Sequence, residues 1–349
     1  MILNHHRSAR IRSKTFLALS FLCSLFIASP VACTPVEAHA LAATDLPLVK
    51  SDVMDDPAIW INQKDPSKSL ILATNKRPPY GGLYVYTLEG KLKSVSPIGP
   101  LNNVDYRPDF PYKGTTIDIA VASYPLTKKF AFFAITPLKG DVTFLGFSST
   151  AFHKEPYGLC LLKRDNTFYA IVTFVGGGAE KWQFWEKGGT LHTQKITSYP
   201  IKTQAEGCVA NDQEETLFIA EEGKGIWAFM GTASPHLIAK VGENNLKADL
   251  EGLALYNGKY LIASSQGNST YGVFSAHLPY TYLGSFKIAP THAQEGTEET
   301  DGIDVTAHNL GGSYSQGLFV AHDNRFSKGG GSNFKLVPWT EIAQKLGLK

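Results

Sequence analysis

The sequence predicts an all-β fold, a six-bladed β-propeller, from one repeated motif, its period and the pattern between its copies. In six places along the 349 residues, a carboxylate or tyrosine stands at the entry to a short apolar strand, usually beside a small residue. The starts of these strings lie roughly 40 to 60 residues apart, which is the period of a four-stranded propeller blade. Between them run short apolar segments bounded by turn residues, which is typical of β-strands.

We interpret each copy of the motif as the innermost strand of one blade. The copies are Asp55-Asp56-Pro57-Ala58-Ile59-Trp60, Asp118-Ile119-Ala120-Val121, Tyr157-Gly158-Leu159-Cys160, Glu206-Gly207-Cys208-Val209, Glu251-Gly252-Leu253-Ala254 and Asp301-Gly302-Ile303-Asp304. In that arrangement five acids and one phenol converge on one axial channel. Two carboxylates about 4 Å apart repel by about 4 kcal/mol at an effective dielectric of 20, so the sequence predicts compensation by hard cations.

The later strands of each unit follow a second pattern, in which an apolar strand precedes an aromatic third strand. Examples of the third strand are Leu83-Tyr84-Val85-Tyr86, Lys181-Trp182-Gln183-Phe184-Trp185, Gly225-Ile226-Trp227-Ala228-Phe229 and Tyr271-Gly272-Val273-Phe274. Bulky side chains suit this position because blades widen away from the axis. The spacing of Trp339, Ile342 and Leu346 after Pro338 predicts one short C-terminal helix. A tandem of β-sandwiches is the alternative, but its units would not need an acid at each strand entry.

The N-terminal 40 residues are predicted to be an export signal. A basic start is followed by an apolar run from Phe16 to Ala28, too short to span a bilayer, and then by the A-x-A sequence Ala38-His39-Ala40. We therefore expect a signal peptide over residues 1–40 and a single propeller domain over residues 41–349.

The export signal predicts a secreted or periplasmic protein. Cys33 after Val31-Ala32 also resembles a lipoprotein attachment site, but Pro30 stands where Leu is usual, so lipidation is not expected. No later apolar run reaches membrane-spanning length, so no membrane span is predicted. We expect a monomer.

Charge and cysteine content restrict the possible functions further. The formal net charge is +2 with scattered charges, whereas a nucleic-acid surface would need clustered Lys and Arg. Only Cys160 and Cys208 follow the predicted leader, at unequal offsets from their glycines. Because alternate strand residues point to opposite faces, we predict that the two side chains point apart and are buried unpaired rather than joined in a disulfide.

Several strings in the sequence resemble those of the β-propeller phytases. They are Asp55-Asp56-Pro57-Ala58-Ile59-Trp60, Thr74-Asn75-Lys76, Leu101-Asn102-Asn103-Val104-Asp105, Asp109-Phe110-Pro111, Ile219-Ala220-Glu221-Glu222, Leu250-Glu251-Gly252-Leu253, Ala263-Ser264-Ser265-Gln266-Gly267-Asn268-Ser269, Thr300-Asp301-Gly302-Ile303-Asp304 and Asn333-Phe334-Lys335-Leu336-Val337-Pro338-Trp339. The resemblance runs from about Asp52 to Leu346. It implies a six-bladed propeller that binds several Ca²⁺ ions and hydrolyses the phosphomonoesters of phytate, the hexakisphosphate of inositol, by metal-activated water.

Residue by residue, the resemblance implies a metal site, a catalytic set and a phosphate contact. The implied metal ligands are Asp55, Asp56, Glu206, Glu222, Glu251 and Asp301, and the implied catalytic residues are Tyr157, Glu206, Glu222 and Lys76. Lys76 is expected to neutralise a substrate phosphate, and Arg77 to add a second phosphate contact. The residues themselves also favour Ca²⁺, because the ligands are oxygens and no His or Cys pair has the spacing of a zinc site. The histidines are expected to be ordinary surface or core residues.

Two segments depart from the pattern of the family. Ser123-Tyr124-Pro125 stands where members commonly carry an Arg, and Phe174-Val175-Gly176-Gly177-Gly178 where a Lys-Glu pair is common. Candidates to replace the missing cations are Lys128, Lys129, Lys181 and Arg325. Each charge-assisted contact is worth about 1.5 to 3 kcal/mol, so their loss leaves two alternatives to hydrolysis open. One is a propeller that binds inositol phosphates or other anions without turnover, and the other is a structural propeller that calcium rigidifies.

Overall fold

The computed structural model describes residues 34–47, 51–231, 234–324 and 331–349. The compact unit comprises Cys33–Lys349 and contains six sheets, each of which is one propeller blade. The predicted all-β, six-bladed fold with one short C-terminal helix is therefore confirmed. The basic and apolar parts of the predicted leader lie outside the described residues. No helix in the described ranges is long and apolar enough to cross a membrane.

The strands follow one another from the channel outward in each blade. Two short strands, β1 (Val36–Ala38) and β2 (Ala42–Ala43), come first. Blade 1 contains β3 (Met54–Trp60), β4 (Leu70–Asn75), β5 (Gly82–Thr87) and β6 (Leu92–Ser96), and blade 2 contains β7 (Val104–Tyr112), β8 (Thr115–Tyr124), β9 (Lys129–Ile135) and β10 (Val142–Phe147). Blade 3 contains β11 (Pro156–Arg164), β12 (Thr167–Phe174), β13 (Ala179–Lys187) and β14 (Thr190–Tyr199), and blade 4 contains β15 (Ala205–Asn211), β16 (Thr216–Glu221), β17 (Gly225–Met230) and β18 (His236–Lys240). Blade 5 contains β19 (Leu250–Tyr256), β20 (Tyr260–Ser265), β21 (Thr270–Ser275) and β22 (Tyr282–Ile288), and blade 6 contains β23 (Ile303–Thr306), β24 (Leu318–Asp323) and β25 (Asn333–Pro338). The helix α1 spans Trp339–Leu346, and short 3₁₀ turns occur at Pro66–Lys68, Gln266–Asn268 and Gly312–Tyr314.

Both ends of the chain contribute to the last two blades. The N-terminal strand β2 pairs antiparallel with β25, so it is the outermost strand of blade 6 and closes the ring of blades. The strand β1 pairs in parallel with β22 and adds a fifth strand to blade 5. The structure therefore includes β1 in the propeller, although β1 lies within the residues that the sequence assigns to a leader ending at Ala40.

The inner strand of blade 2 differs from the prediction. The sequence places Asp118 at the entry of an innermost strand, but Asp118 lies in β8, the second strand, and the innermost strand is β7. The Asp118 carboxylate accepts a hydrogen bond from Trp60 Nε1 at 2.7 Å, away from the channel entry. The error arises because an acid followed by apolar residues also describes this second strand, while the true entry residue of blade 2 is the amide Asn103.

Apolar clusters between neighbouring blades form the core, and the aromatic third strands contribute to it as predicted. Tyr86, Phe184 and Phe274 are at most 2% exposed and belong to such clusters. The helix α1 buries Trp339 and Ile342 against the cluster that also contains β1 and β22 residues. Apolar packing between neighbouring blades therefore helps to join the six sheets.

A disulfide joins Cys160 in β11 to Cys208 in β15, so the prediction of two unpaired cysteines is wrong. The two side chains do project from opposite faces of their own strands, as the sequence indicates. Adjacent blades, however, face each other through opposite faces of their sheets. A residue on one face of blade 3 therefore meets a residue on the opposite face of blade 4. Both cysteines accordingly lie in one apolar cluster between these two blades.

Candidate active site

Glycines after the strand-entry residues bring the inner strands of neighbouring blades into close contact at one end of the channel. An added Cβ at Gly158 would overlap the carbonyl oxygen of Glu206 in the next blade, and one at Gly207 would overlap that of Glu251. The other pairs are Gly252 with Asp301 and Gly302 with Asp56. Only glycine fits such close approaches of backbone to backbone, which explains why glycine follows the acid or tyrosine in these repeats.

The strand-entry side chains of five blades consequently surround one opening, which we call the acid ring. Its members are Asp56, Tyr157, Glu206, Glu251 and Asp301. The backbone amide of Gly252 donates to Asp301 O at 2.9 Å, and that of Gly302 donates to Asp55 O at 3.1 Å. These bonds run between blades 5 and 6 and between blades 6 and 1. The structure therefore brings together acids that lie far apart in the sequence.

Three glutamates form a compact cluster on one side of the acid ring. One carboxylate oxygen each from Glu206, Glu222 and Glu251 lies within 4.8 Å of the other two, and all three residues are buried. Glu222 directly follows β16, and Gln204 Nε2 donates to its Oε2 at 3.1 Å. Among the described residues, Glu222 Oε1 and Glu251 Oε2 have no hydrogen-bond partner. Buried carboxylate oxygens without a partner are costly, so this cluster suits a cation.

Burial raises the pKa of every carboxyl group in this cluster. The pKa of Glu206 rises to about 8 through burial and the negative charges of Asp55 and Asp301. Burial also raises the pKa of Glu222 to about 7, and burial together with the Glu206 charge raises that of Glu251. The pKa values of Asp55, Asp56 and Asp301 are likewise raised, chiefly by burial. Without a cation, the ring therefore retains protons near neutral pH.

These raised pKa values predict how the stability of the chelated protein depends on pH. The folded state binds more protons than the unfolded state between the ordinary glutamate value and the raised values of about 7 for Glu222 and about 8 for Glu206. The stabilisation is complete below that window and is lost as the pH rises through it, so the melting temperature in chelator should fall from pH 5 to pH 8. A divalent cation should stabilise the protein more at pH 8 than at pH 5, because it binds the deprotonated carboxylates. A melting temperature in chelator that rises over this range would contradict the prediction.

Lys76 is the cation on the other side of the ring. Its Nζ lies 2.7 Å from Asp301 Oδ2, 2.9 Å from Asp55 Oδ1 and 3.4 Å from Asp52 Oδ1. Although burial opposes the charge, Asp55 and Asp301 raise the pKa of Lys76, so its ammonium stays protonated. Arg77 is exposed and contacts the Asp52 backbone at 3.4 Å, at the edge of this group.

His322 also belongs to this side of the ring, although the sequence indicates only a surface or core histidine. It is fully buried, and its Nδ1 accepts a hydrogen bond from Asp301 N at 3.3 Å. Burial lowers the pKa of His322 to about 4, so the imidazole is neutral. One ligand atom each from Asp52, Asp301 and His322 lies within 4.8 Å of the others. No sequence spacing indicated this group, because its members come from three separate segments.

Tyr157 and Asn103 occupy the part of the ring next to blade 2. The Tyr157 hydroxyl lies in hydrogen-bond contact with Glu206, and burial together with that carboxylate raises the pKa of Tyr157, so the phenol stays neutral and can donate. With its amide nitrogen turned towards them, Asn103 donates to Glu206 Oε1 at 3.2 Å and to Tyr157 O at 3.3 Å. Asn103 therefore takes the place that the sequence assigns to Asp118.

Comparison with known proteins identifies the family. The family model described as Phytase matches residues 9–349. The chain belongs to the phytase family. It is 39% identical over 331 residues to the 3-phytase of Bacillus subtilis (strain 168), an alignment that covers 89% of this chain and 85% of that protein. A solved structure of a functionally unknown protein from Desulfotomaculum acetoxidans DSM 771 is similar with a TM-score of 0.46 and 13% identity over 69% of this chain and 73% of that one. The predicted membership is confirmed, and the chain is accordingly a phosphomonoester hydrolase.

The ring of this phytase-family chain fits a hard divalent cation. Three buried carboxylate oxygens in and beside the ring lack a hydrogen-bond partner within the described ranges. They are Asp55 Oδ2, Glu222 Oε1 and Glu251 Oε2. Carboxylate oxygens are the ligands that hard cations prefer, and a cation placed among them would relieve both the missing bonds and the mutual repulsion. The donor chemistry of the residues is therefore consistent with the metal dependence of phytases.

The two segments that depart from the family pattern have structural roles here. Ser123 Oγ donates to Tyr157 O at 2.7 Å, and the ring of the buried Tyr124 stacks on Phe147. In the glycine segment, Gly177 O accepts a hydrogen bond at 2.8 Å from Lys154 Nζ, a lysine that no sequence motif indicates. Lys154 thus places an ammonium beside the segment that lacks the Lys-Glu pair.

The proposed replacements for the missing cations fare differently. Lys181 lies in β13, and its Nζ is 4.0 Å from the centre of the Tyr169 ring. The ammonium therefore points towards that ring and not towards the glycine segment. Lys129 begins β9 and Lys128 directly precedes it, close in sequence to Ser123-Tyr124-Pro125. Arg325 lies outside the described residues.

Deeper in the channel, past Asp56, the polar groups are already paired. A cavity of about 260 Å³ there is lined in part by Asp105, Arg107 and Asp304. Arg107 binds Asp105 at 3.0 Å and Asp212 at 2.7 Å, and Asp304 Oδ2 accepts from Ile59 N at 2.7 Å. These paired groups join inner strands of different blades.

Proposed function

We propose that this chain releases phosphate from phytate in a calcium-dependent reaction at the acid ring. The observation that carries the proposal is the juxtaposition of unpartnered carboxylate oxygens on Glu222 and Glu251 with the ammonium of Lys76 around one opening. A ring of carboxylates repels a polyanionic substrate unless cations lie between the two. Family membership supports the phosphate ester, and the oxygen donor set supports calcium.

The side chains of the ring have separate roles in this proposal. The residues that would hold calcium are Asp55, Asp56, Glu206, Glu222, Glu251 and Asp301. Bound calcium supplies positive charge for the substrate phosphate and makes water more acidic. Glu222 would accept a proton from the attacking water, a role supported by its unpartnered Oε1 and by burial, which raises its carboxyl pKa to about 7. Tyr157 donates from its neutral hydroxyl and orients the carboxylate of Glu206.

The substrate phosphate is bound by the cations at the rim. Lys76 Nζ contacts a phosphate oxygen, and the exposed guanidinium of Arg77 adds an outer contact. The water oxygen bonds to phosphorus as the ester oxygen leaves, and the inositol hydroxyl forms with a proton from the solvent or from the group that deprotonated the water. The products are inorganic phosphate and an inositol phosphate with one phosphate fewer.

A phosphate-release assay on phytate tests the proposal. Release should require calcium, stop in excess chelator and return when calcium is restored. Magnesium at the same concentration is the control, because its small octahedral shell suits a broad carboxylate ring less well. Release that is unchanged in chelator would overturn calcium dependence, whereas release from other phosphomonoesters but not from phytate would overturn the substrate.

Lys76→Met is expected to lower the rate of phosphate release from phytate about 10- to 100-fold, because one charge-assisted contact to phosphate is lost. The variant should also melt at a lower temperature in chelator, since Asp55 and Asp301 lose their shared cation. The matched control is Lys68→Met, which removes an exposed lysine that pairs with Asp65 in the same blade. Equal rates for both variants and the wild type would show that Lys76 does not contact the substrate.

The protein is further proposed to act outside the cytoplasm, in the periplasm or after secretion, and as a monomer. The leader pattern supports export, and so does the disulfide between Cys160 and Cys208, because disulfides persist in oxidising compartments. Fractionation of expressing cells tests the location, and light scattering of the purified protein tests the monomer. Protein found entirely in the cytoplasm would contradict export.

A further inference from the structure

The segment that carries the predicted A-x-A cleavage sequence is part of the folded propeller. In β1, Val36 pairs with Phe286 and Ala38 pairs with Ile288, in parallel with β22. The backbone amide of Ala289 donates to Ala38 O at 2.8 Å, which extends this pairing by one bond. The first alanine of the A-x-A sequence is therefore a strand residue of blade 5.

The side chains of this segment are also packed into the protein. Ala38 is 0% exposed and Ala40 is 7% exposed, and both belong to the apolar cluster that contains Phe286 and Trp339. Glu37 forms an ion pair with Lys287 at 3.0 Å. Such packing is typical of a permanent strand of the folded protein.

Cleavage after Ala40 would remove β1 but leave β2. The outer edge of β22 would then lose its parallel partner, and unpaired edge strands promote aggregation. Ala289, which Ala38 O anchors, begins the segment that leads to Asp301 in the acid ring. The loss of β1 would therefore loosen a segment that positions Asp301, a residue that is proposed to bind metal.

We propose that export processing cuts this chain on the N-terminal side of Val36, so that the mature protein keeps β1. The inference rests on the proposed export and moves the end of the predicted leader from Ala40 to a position upstream. The bond between Ala32 and Cys33 follows the apolar run and has a small residue on its N-terminal side, as signal peptidases require. Hydrolysis of one peptide bond by water is the only chemistry involved.

Intact-mass measurement of the exported protein tests the proposal. We expect a mass that includes Val36 through Ala40, with a free N-terminus in the range 29–36. A mature chain that starts at Leu41 would overturn the cut site while leaving export intact. A chain that keeps its whole leader, at 38.1 kDa, would overturn export together with the cut site.

Two variants locate the cut without depending on the stability of the fold. Ala40→Glu places a large charged residue at the end of the A-x-A sequence, and removal of the leader from newly made chains should be unchanged. Ala32→Glu should block or displace it. Processing that is blocked by Ala40→Glu and unaffected by Ala32→Glu would overturn the proposal.

Two forms made without a leader test the structural reason. One starts at Thr34 and the other at Leu41, and both keep β2. The form that starts at Leu41 should melt about 3 °C or more below the other, because blade 5 loses a strand. It should also bind calcium more weakly in titration calorimetry. Identical melting temperatures would show that β1 is dispensable and would remove the basis for the inference.

Discussion

Glu206→Gln should reduce phosphate release from phytate by about 100-fold or more, because Glu206 is the carboxylate that connects the glutamate cluster to Tyr157 and Asn103. It lies within 4.8 Å of ligand atoms of Glu222 and Glu251, and it contacts Tyr157 and Asn103. Glutamine keeps the volume and removes the charge. The expected loss therefore comes from weaker calcium binding and a misplaced water, and not from a cavity.

A second measurement separates this role from a merely structural one. The carboxyl pKa of Glu206 is raised to about 8, so in chelator at pH 8 the ionised group destabilises the fold, and glutamine should raise the melting temperature there. In calcium the same variant should melt lower than the wild type. Asp118→Asn is the control, because Asp118 lies in β8 outside the ring and should keep near wild-type activity. Comparable losses in both variants would mean that the ring is not the site.

The repeated motif predicted most of the acid ring because the cause of the motif is local. Wherever Glu206, Glu251 or Asp301 enters the channel, the next residue must be glycine to allow the neighbouring backbone to approach. This requirement is visible in the sequence, so the period and the blade number could be predicted from it. Blade 2 lacks this pattern, because Asn103 precedes β7 without a following glycine. The entry residue of blade 2 was therefore wrongly predicted to be Asp118, which lies in the second strand.

The parts that could not be predicted depend on geometry between segments. Asp52 and His322 join the predicted residues Lys76 and Asp301 from segments whose separation carries no sequence pattern. Lys154 likewise reaches the glycine segment from a neighbouring loop. The cysteine prediction failed for a related reason. The alternation of a strand gives the face of each residue, but only the packing of blades shows which faces oppose each other.

Replacement of both Cys160 and Cys208 by alanine should destabilise the protein by about 4 kcal/mol, which follows from closure of a loop with a sequence separation of 48. With an unfolding entropy of about 2.1 cal/mol/K per residue, the melting temperature should fall by about 6 °C. The two cysteines belong to different sheets, so their bond adds a covalent link to the apolar packing between blades 3 and 4.

The disulfide should also support the acid ring, because Cys160 and Cys208 follow Tyr157 and Glu206 closely on their strands. A reductant should lower the melting temperature of the wild type by a similar amount and leave the double alanine variant unchanged. Calcium affinity measured by titration calorimetry should fall with the stability if the bond fixes the spacing of β11 and β15. A lower melting temperature with unchanged calcium affinity would restrict the role of the disulfide to global stability. If neither the double alanine substitution nor the reductant changed the melting temperature, the disulfide would not be present.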